Sequence, residues 1–89
     1  MAWKVEISRL AQKQLDNLDV TVSRRIVKFL RERVDKINDP RQIGDPLKGP
    51  LRDYWRYRVG DYRIVCLLEH DRLVVLVLRV GHRREIYDR

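Results

Sequence analysis

The apolar and polar positions of the N-terminal part predict one strand followed by two helices. Apolar and charged residues alternate over residues 2–7 with the period of two that is typical of a strand. Ser8 is a suitable N-cap for a helix of about ten residues. A longer amphipathic helix is predicted over 21–38, ending before Pro40. The connection between the two predicted helices is short, which favours an antiparallel helical hairpin.

The C-terminal half has the pattern of a β-meander. Residues 39–52 hold all three prolines and are predicted to form a loop. Alternation then returns over 54–59 and from Tyr62 to about Glu69, and the Gly60-Asp61 pair between these segments indicates a two-residue hairpin turn.

The last strand completes the predicted fold. Residues 73–80 are nearly all aliphatic, which favours a central strand buried on both faces, and Gly81 is expected to end it. The element order is therefore β-α-α-β-β-β. We expect an α+β fold in one domain over residues 1–89, with an antiparallel-rich sheet curved by its own twist and the helical hairpin on one face.

Composition narrows the function classes. The chain has 20 Lys and Arg against 13 Asp and Glu, and the net charge of +7 favours a polyanionic partner. Two histidines and one cysteine exclude the usual zinc clusters and an internal disulfide, which suits a reducing compartment. With no apolar run near the ~20 residues of a membrane span and no signal peptide, we expect a cytoplasmic protein without membrane contacts.

The first predicted hairpin carries the most informative charges. If Gly60-Asp61 forms the turn, Arg58 lies directly opposite Arg63, and Arg56 lies one step further along the same face. Like charges across a ladder destabilise it, so folding alone gives no reason for this pair. A bound phosphate gives such a reason, because it can accept a bidentate pair of hydrogen bonds from each guanidinium.

The same register keeps the other face of the hairpin apolar, which supports the assignment. The residues of this apolar face are Trp55, Tyr57, Val59, Ile64 and Cys66. Cys66 is then a buried structural thiol rather than a nucleophile. The alternative for the arginine face is a solvated surface whose arginines pair with nearby carboxylates, namely Asp53, Asp61 or Glu69.

The basic C-terminal tail adds a second candidate cluster. His82, Arg83 and Tyr87 follow the last strand and reach the arginine face if the tail folds back. A histidine can move a proton near neutral pH, an arginine can stabilise phosphate charge, and a tyrosine can stack on a base. The alternatives are a surface histidine and a Tyr87 that packs with Ile86 on the sheet.

Three segments together carry a family resemblance. They are YWRYRVGDYRIV at 54–65, VGHRREIY at 80–87 and DPLKG at 45–49. With the element order, they resemble the RelE branch of the RelE/ParE toxin superfamily over almost the whole chain.

The resemblance implies the toxin of a type II toxin–antitoxin pair. It further implies an endonuclease that cuts mRNA in the ribosomal A site by attack of a 2′-hydroxyl, giving a 2′,3′-cyclic phosphate without a metal or other cofactor. The implied partners are the ribosome with its mRNA and an acidic, amphipathic antitoxin that folds on binding.

Site residues carry over by position. The strand pair of basic residues falls on Arg56 and Arg58, the arginine after the hairpin on Arg63, and the tail pair on Arg83 and Tyr87. The expected RNA-binding set adds three further basic residues, Lys48, Arg52 and Arg84.

One departure from the family changes the expected proton transfer. The two strand positions are lysines in the best-known member, whereas this chain has Arg56 and Arg58. Arginine does not lose its proton near neutral pH and is no general base. His82 is therefore expected to move the proton, while Arg58 and Arg63 hold the phosphate.

Three other functions stay open on this sequence. One is a ParE-like inhibitor of DNA gyrase on the same fold, although such chains generally lack the Arg/His/Tyr tail. Another is an inactive homologue that acts only through antitoxin binding. The third is a free basic RNA-binding module, which would bind with strong salt dependence.

Overall fold

A computed structural model describes residues 3–47 and 53–86 and shows two helices on one face of a five-stranded sheet. The bounds of these elements are β1 Lys4–Ile7, α1 Arg9–Asp16, α2 Val20–Phe29, β2 Asp45–Pro46, β3 Tyr54–Val59, β4 Tyr62–Glu69 and β5 Val74–His82. The strand order is β1-β5-β4-β3-β2, with β1 parallel to β5 and every other pair antiparallel. The predicted α+β class and hairpin on Gly60-Asp61 are confirmed.

Both helices begin at polar caps. The Ser8 side chain accepts a hydrogen bond from the Ala11 backbone N–H, and Asp19 caps the second helix. The second helix is shorter than the predicted 21–38, because regular α-helix ends at Phe29 and a π-helical turn follows over Leu30–Val34. No helix in the described ranges is long and apolar enough to cross a bilayer.

Two expectations for the β elements were wrong. Residues 39–52 are not all loop, since a 3₁₀ turn at Pro40–Gln42 and the strand β2 lie within them. Pro46 fits there because β2 is an edge strand, where a missing N–H costs no ladder hydrogen bond. The last strand continues through Gly81 to His82.

The last strand is also less buried than its sequence predicted. It is central in hydrogen bonding, but Arg79 is exposed and Leu76 and Leu78 are half-buried. The helices cover only one face of the sheet, so the other face of β5 remains partly open to solvent.

The core lies between the helices and the sheet, and it holds no buried charged residue among those described. The predicted apolar face of the hairpin is buried, and burial raises the pKa of both the Cys66 thiol and the Tyr57 hydroxyl. The Tyr57 hydroxyl donates to the Pro40 carbonyl at 2.7 Å, and the Trp55 Nε1–H donates to the Ile43 carbonyl at 2.7 Å. These two bonds attach the segment before β2 to strand β3.

Candidate functional site

The β3–β4 hairpin places arginines on the sheet face opposite the helices. Gly60 has the positive φ of 59° that a tight hairpin turn requires, and Arg58 pairs directly with Arg63. Arg56 pairs with Val65 on the same face. The Arg63 guanidinium donates to the carbonyls of Gly60 and Tyr62, both at 3.0 Å, which holds it over the turn.

The tail folds back onto this same face. The Arg83 N–H donates to the Asp61 carbonyl at 2.8 Å, and the Ile86 N–H donates to the His82 carbonyl at 2.9 Å. Ile86 is buried but lies outside the helix-side core, and its Cδ1 would lie 3.4 Å from a Cβ added at Gly81. Gly81 is the cross-strand partner of Arg63, so Ile86 fixes the tail beside that arginine.

The result is a shallow depression of about 410 Å³, and every described residue that lines it is an arginine. Its lining residues are Arg56, Arg58, Arg63, Arg83 and Arg84. We call it the arginine depression. Five arginines from two strands and the tail thus line one space large enough for a phosphate group.

One carboxylate contacts the arginine depression. Asp45 Oδ2 lies 3.1 Å from Arg58 Nη2 and 3.4 Å from Arg56 Nη2. The hydrogen bond from Arg58, followed by that from Arg56, holds the pKa of Asp45 below its ordinary value. The other three arginines of the depression form no ion pair with a described residue.

Sequence reasoning missed Asp45. It offered Asp53, Asp61 and Glu69 as partners of the arginines, but the structure pairs none of them with the hairpin arginines. A two-residue strand has no periodicity to detect. The available signal was Gly44, whose positive φ of 83° and close approach to the Arg56 carbonyl bring β2 against β3.

The structure does not bring the His82 side chain into the arginine depression. His82 pairs with Tyr62 across the sheet, on the face opposite Arg63, and the two rings meet edge-on at 5.5 Å. Its Nδ1 accepts the Arg84 backbone N–H at 3.1 Å. Three candidate residues, Lys48, Arg52 and Tyr87, lie outside the described residues.

Comparison with known proteins identifies the family. A family model described as the ParE toxin of the type II toxin–antitoxin system, parDE, matches residues 5–87. The chain belongs to this toxin family. Within residues 3–47 and 53–86, this toxin has no group of three His, Cys, Asp or Glu side chains arranged to hold a metal ion.

The similar proteins lie on the RelE branch of the superfamily. Toxin RelG of Mycobacterium tuberculosis is 29% identical over 89 residues, which is 100% of both chains. The toxin–antitoxin complex RelBE2 of the same organism matches with a TM-score of 0.83 at 25% identity, covering 93% of this chain and 100% of the other. The archaeal RelE–RelB complex of Pyrococcus horikoshii matches with a TM-score of 0.70 at 26% identity, covering 96% and 99%.

Proposed function

We propose that this RelE-branch toxin is an endoribonuclease that cleaves mRNA in the ribosomal A site. The observation that carries the proposal is the arginine depression, in which guanidinium groups from two strands and the tail face one space beside one carboxylate. Such an arrangement binds a phosphodiester and stabilises the extra negative charge that develops on it during cleavage.

The guanidinium groups have separate roles in this proposal. Arg58 and Arg63, opposed across the hairpin, bind the non-bridging oxygens of the scissile phosphate. Arg83 stabilises the departing 5′ oxygen, and Arg56 and Arg84 add to the positive potential. The like charges of Arg58 and Arg63 destabilise the hairpin when no phosphate is bound, and in the transition state they stabilise the negative charge on the phosphate.

Asp45 is the proposed proton acceptor. Arginine cannot take a proton at neutral pH, whereas the Asp45 carboxylate is ionised and hydrogen-bonded to Arg58. The 2′-hydroxyl proton passes to Asp45 as the 2′ oxygen bonds to phosphorus. The bond from phosphorus to the 5′ oxygen breaks, and that oxygen takes a proton from water, leaving a 2′,3′-cyclic phosphate.

His82 and Tyr87 take positioning roles in the proposal. The bond from the Arg84 N–H to the His82 Nδ1 orders the start of the tail, so we assign His82 to holding Arg84 rather than to proton transfer. Tyr87 is proposed to stack on a nucleotide, and Lys48 and Arg52 to contact RNA phosphates.

An acidic antitoxin is the second proposed partner. Solved structures similar to this chain include toxin–antitoxin complexes with RelB from archaea and from Mycobacterium tuberculosis. A chain with a net charge of +7 suits an acidic, amphipathic partner that folds as it covers the basic surface. Both proposed partners place the protein in the cytoplasm.

Cleavage of mRNA on programmed ribosomes tests the proposal. We expect the parent protein to release products with a 2′,3′-cyclic phosphate end. Arg58→Ala and Asp45→Asn should each lower the single-turnover rate by about 100-fold. Lys13→Ala, which removes one positive charge from an exposed residue of α1 just as Arg58→Ala removes one from the hairpin, should cleave at the parent rate.

Expression in cells separates the alternatives. Rapid arrest of translation with cut mRNA supports the nuclease. An SOS response with intact mRNA would replace it with the gyrase inhibitor, and growth without either effect would leave an inactive homologue that binds only its antitoxin.

A further inference from the structure

A second basic surface begins where the arginine depression ends. Two adjoining hollows of about 410 and 330 Å³ run from the β3–β4 hairpin to α2, and Arg58 lines both of them as well as the arginine depression. Their described lining on the helix side is formed by Arg25, Lys28, Phe29, Glu32 and Arg33. We call this surface the helix groove.

The cations on the helix side of the groove have no carboxylate partner among the described residues. Arg25, Lys28 and Arg33 form no ion pair with any described residue, while Arg41 and Arg72 elsewhere on the surface each pair with a carboxylate. Two carboxylates are among the described lining residues, Glu32 in the hollow at the hairpin and Asp45, which pairs with Arg58, in the other, against four cations. The groove therefore keeps its positive charge for an anionic ligand.

Local geometry holds two of these cations near the hairpin. A Cβ added at Gly60 would lie 3.1 Å from Arg25 Nη1, so the guanidinium lies against the bare turn. The Arg33 Cζ lies 5.8 Å from the centre of the Phe29 ring, one turn earlier on the helix. A bulkier turn residue would displace Arg25 from the hairpin end of the helix groove.

Phe29 gives the helix groove an apolar floor. Its ring is half-buried and meets the Tyr57 ring at 5.8 Å, so it is fixed in place. Cations beside an aromatic ring are the combination that binds single-stranded RNA, with phosphates on the charges and a base on the ring.

We infer that the helix groove binds the nucleotides next to the scissile phosphate in the strand being cut. This inference rests on the proposed function. Arg58 lines both the arginine depression and the helix groove, so the groove lies next to the scissile phosphate only if Arg58 binds that phosphate. The groove adds affinity for a longer strand, and it takes no part in the chemical step.

RNA length supplies the first test, with the isolated protein and labelled single-stranded oligonucleotides. We expect an octanucleotide to bind more tightly than a trinucleotide, and the triple variant Arg25→Ala/Lys28→Ala/Arg33→Ala to remove that gain. The log–log salt slope for the octanucleotide should fall by about 2, at about 0.7 for each phosphate that the variant no longer neutralises. Arg24→Ala, exposed on the same helix but outside the groove, is the control.

Cleavage on ribosomes supplies the second test. The triple variant should raise KM by about tenfold while kcat stays near the parent value. Loss of ribosomal cleavage with unchanged octanucleotide binding would mean that the groove binds ribosomal RNA and would overturn the inference. Weaker antitoxin binding with unchanged RNA binding would also overturn it. If the parent protein never cleaves, the proposed function fails, and the length test still decides whether the groove binds RNA.

Discussion

At the scale of single residues, the site depends on the ion pairs that Asp45 forms with both Arg56 and Arg58. The carboxylate is partly exposed, with 41% of its side chain accessible, so a phosphate can displace it from Arg58. The pairing keeps two like-charged guanidiniums close together before RNA binds. Asp45 thus stabilises the empty site and is free to accept a proton once the phosphate takes its place.

The lowered pKa of Asp45 predicts how that contribution varies with pH. A carboxyl whose pKa is lower in the folded than in the unfolded state stabilises the fold above its ordinary value of 3.8, and the effect is lost as pH falls through the folded value. Urea unfolding should therefore find the parent more stable than Asp45→Asn at neutral pH, with the difference vanishing in acid.

A matched variant makes that measurement specific. Asp71→Asn removes the same charge from an exposed turn residue that forms no ion pair with a described residue. If both variants lose stability with the same pH profile, the ion pairs of Asp45 contribute nothing of their own.

Residue-level prediction succeeded where a turn fixed the register. Gly60-Asp61 admits one pairing, so the opposition of Arg58 and Arg63 followed from sequence alone. The position of Asp45 could not be predicted, because its strand is too short for a pattern and the segment before it is held by hydrogen bonds from Trp55 and Tyr57, which are distant in sequence. His82 was expected beside the hairpin arginines because the last strand was predicted to end at Gly81. The strand instead continues to His82, and because side chains alternate between the two faces of a strand, His82 lies on the face opposite Arg63.

At the scale of elements, two short segments determine whether the site is complete. The strand β2 carries the carboxylate, and the tail carries Arg83 and Arg84. The strand β2 pairs with β3 over only two residues, and the tail is held by a few contacts to the hairpin and β5. Each segment can therefore be released while the main core stays intact.

Gly44→Ala should release β2. An added Cβ would lie 2.5 Å from the Arg56 carbonyl, and φ at this position is +83°, which costs a residue with a side chain about 1–3 kcal/mol. We expect lower stability in urea and separation of Asp45 from Arg58, seen as a slower cleavage rate. Full activity in a stably folded Gly44→Ala protein would argue against a role for β2.

Ile86→Ala should release the tail. The side chain is buried against Gly81 outside the helix-side core, so truncation should cost about 2 kcal/mol and leave the circular dichroism spectrum unchanged. Amide exchange of residues 83–86 should accelerate, and cleavage should slow because Arg83 is no longer held in position. Leu10→Ala, at a residue exposed on α1, is the control for truncation of an aliphatic side chain.

At the scale of the whole molecule, the positive charge is unevenly distributed. Arg63 of the hairpin, Arg83 and Arg84 of the tail and Arg25 and Arg33 of the helical segment form no ion pair with a described residue. Arg72, near the opposite end of β4, instead pairs with Glu6 and Glu69 at 3.1 and 2.7 Å. The net charge of +7 alone would predict equal effects from removing any arginine. The distribution predicts that only one region of the surface governs RNA affinity.

A charge-matched pair of variants separates these two views. Arg63→Ala and Arg72→Ala both lower the net charge by one, but only Arg63 lines the arginine depression. For single-stranded RNA, we expect Arg63→Ala to reduce the salt slope by about 0.7 and Arg72→Ala to leave it unchanged, because Arg72 is already neutralised by two carboxylates. Equal slopes for the two variants would mean that diffuse charge attracts the RNA, and the arginine depression would then have no special role in binding it.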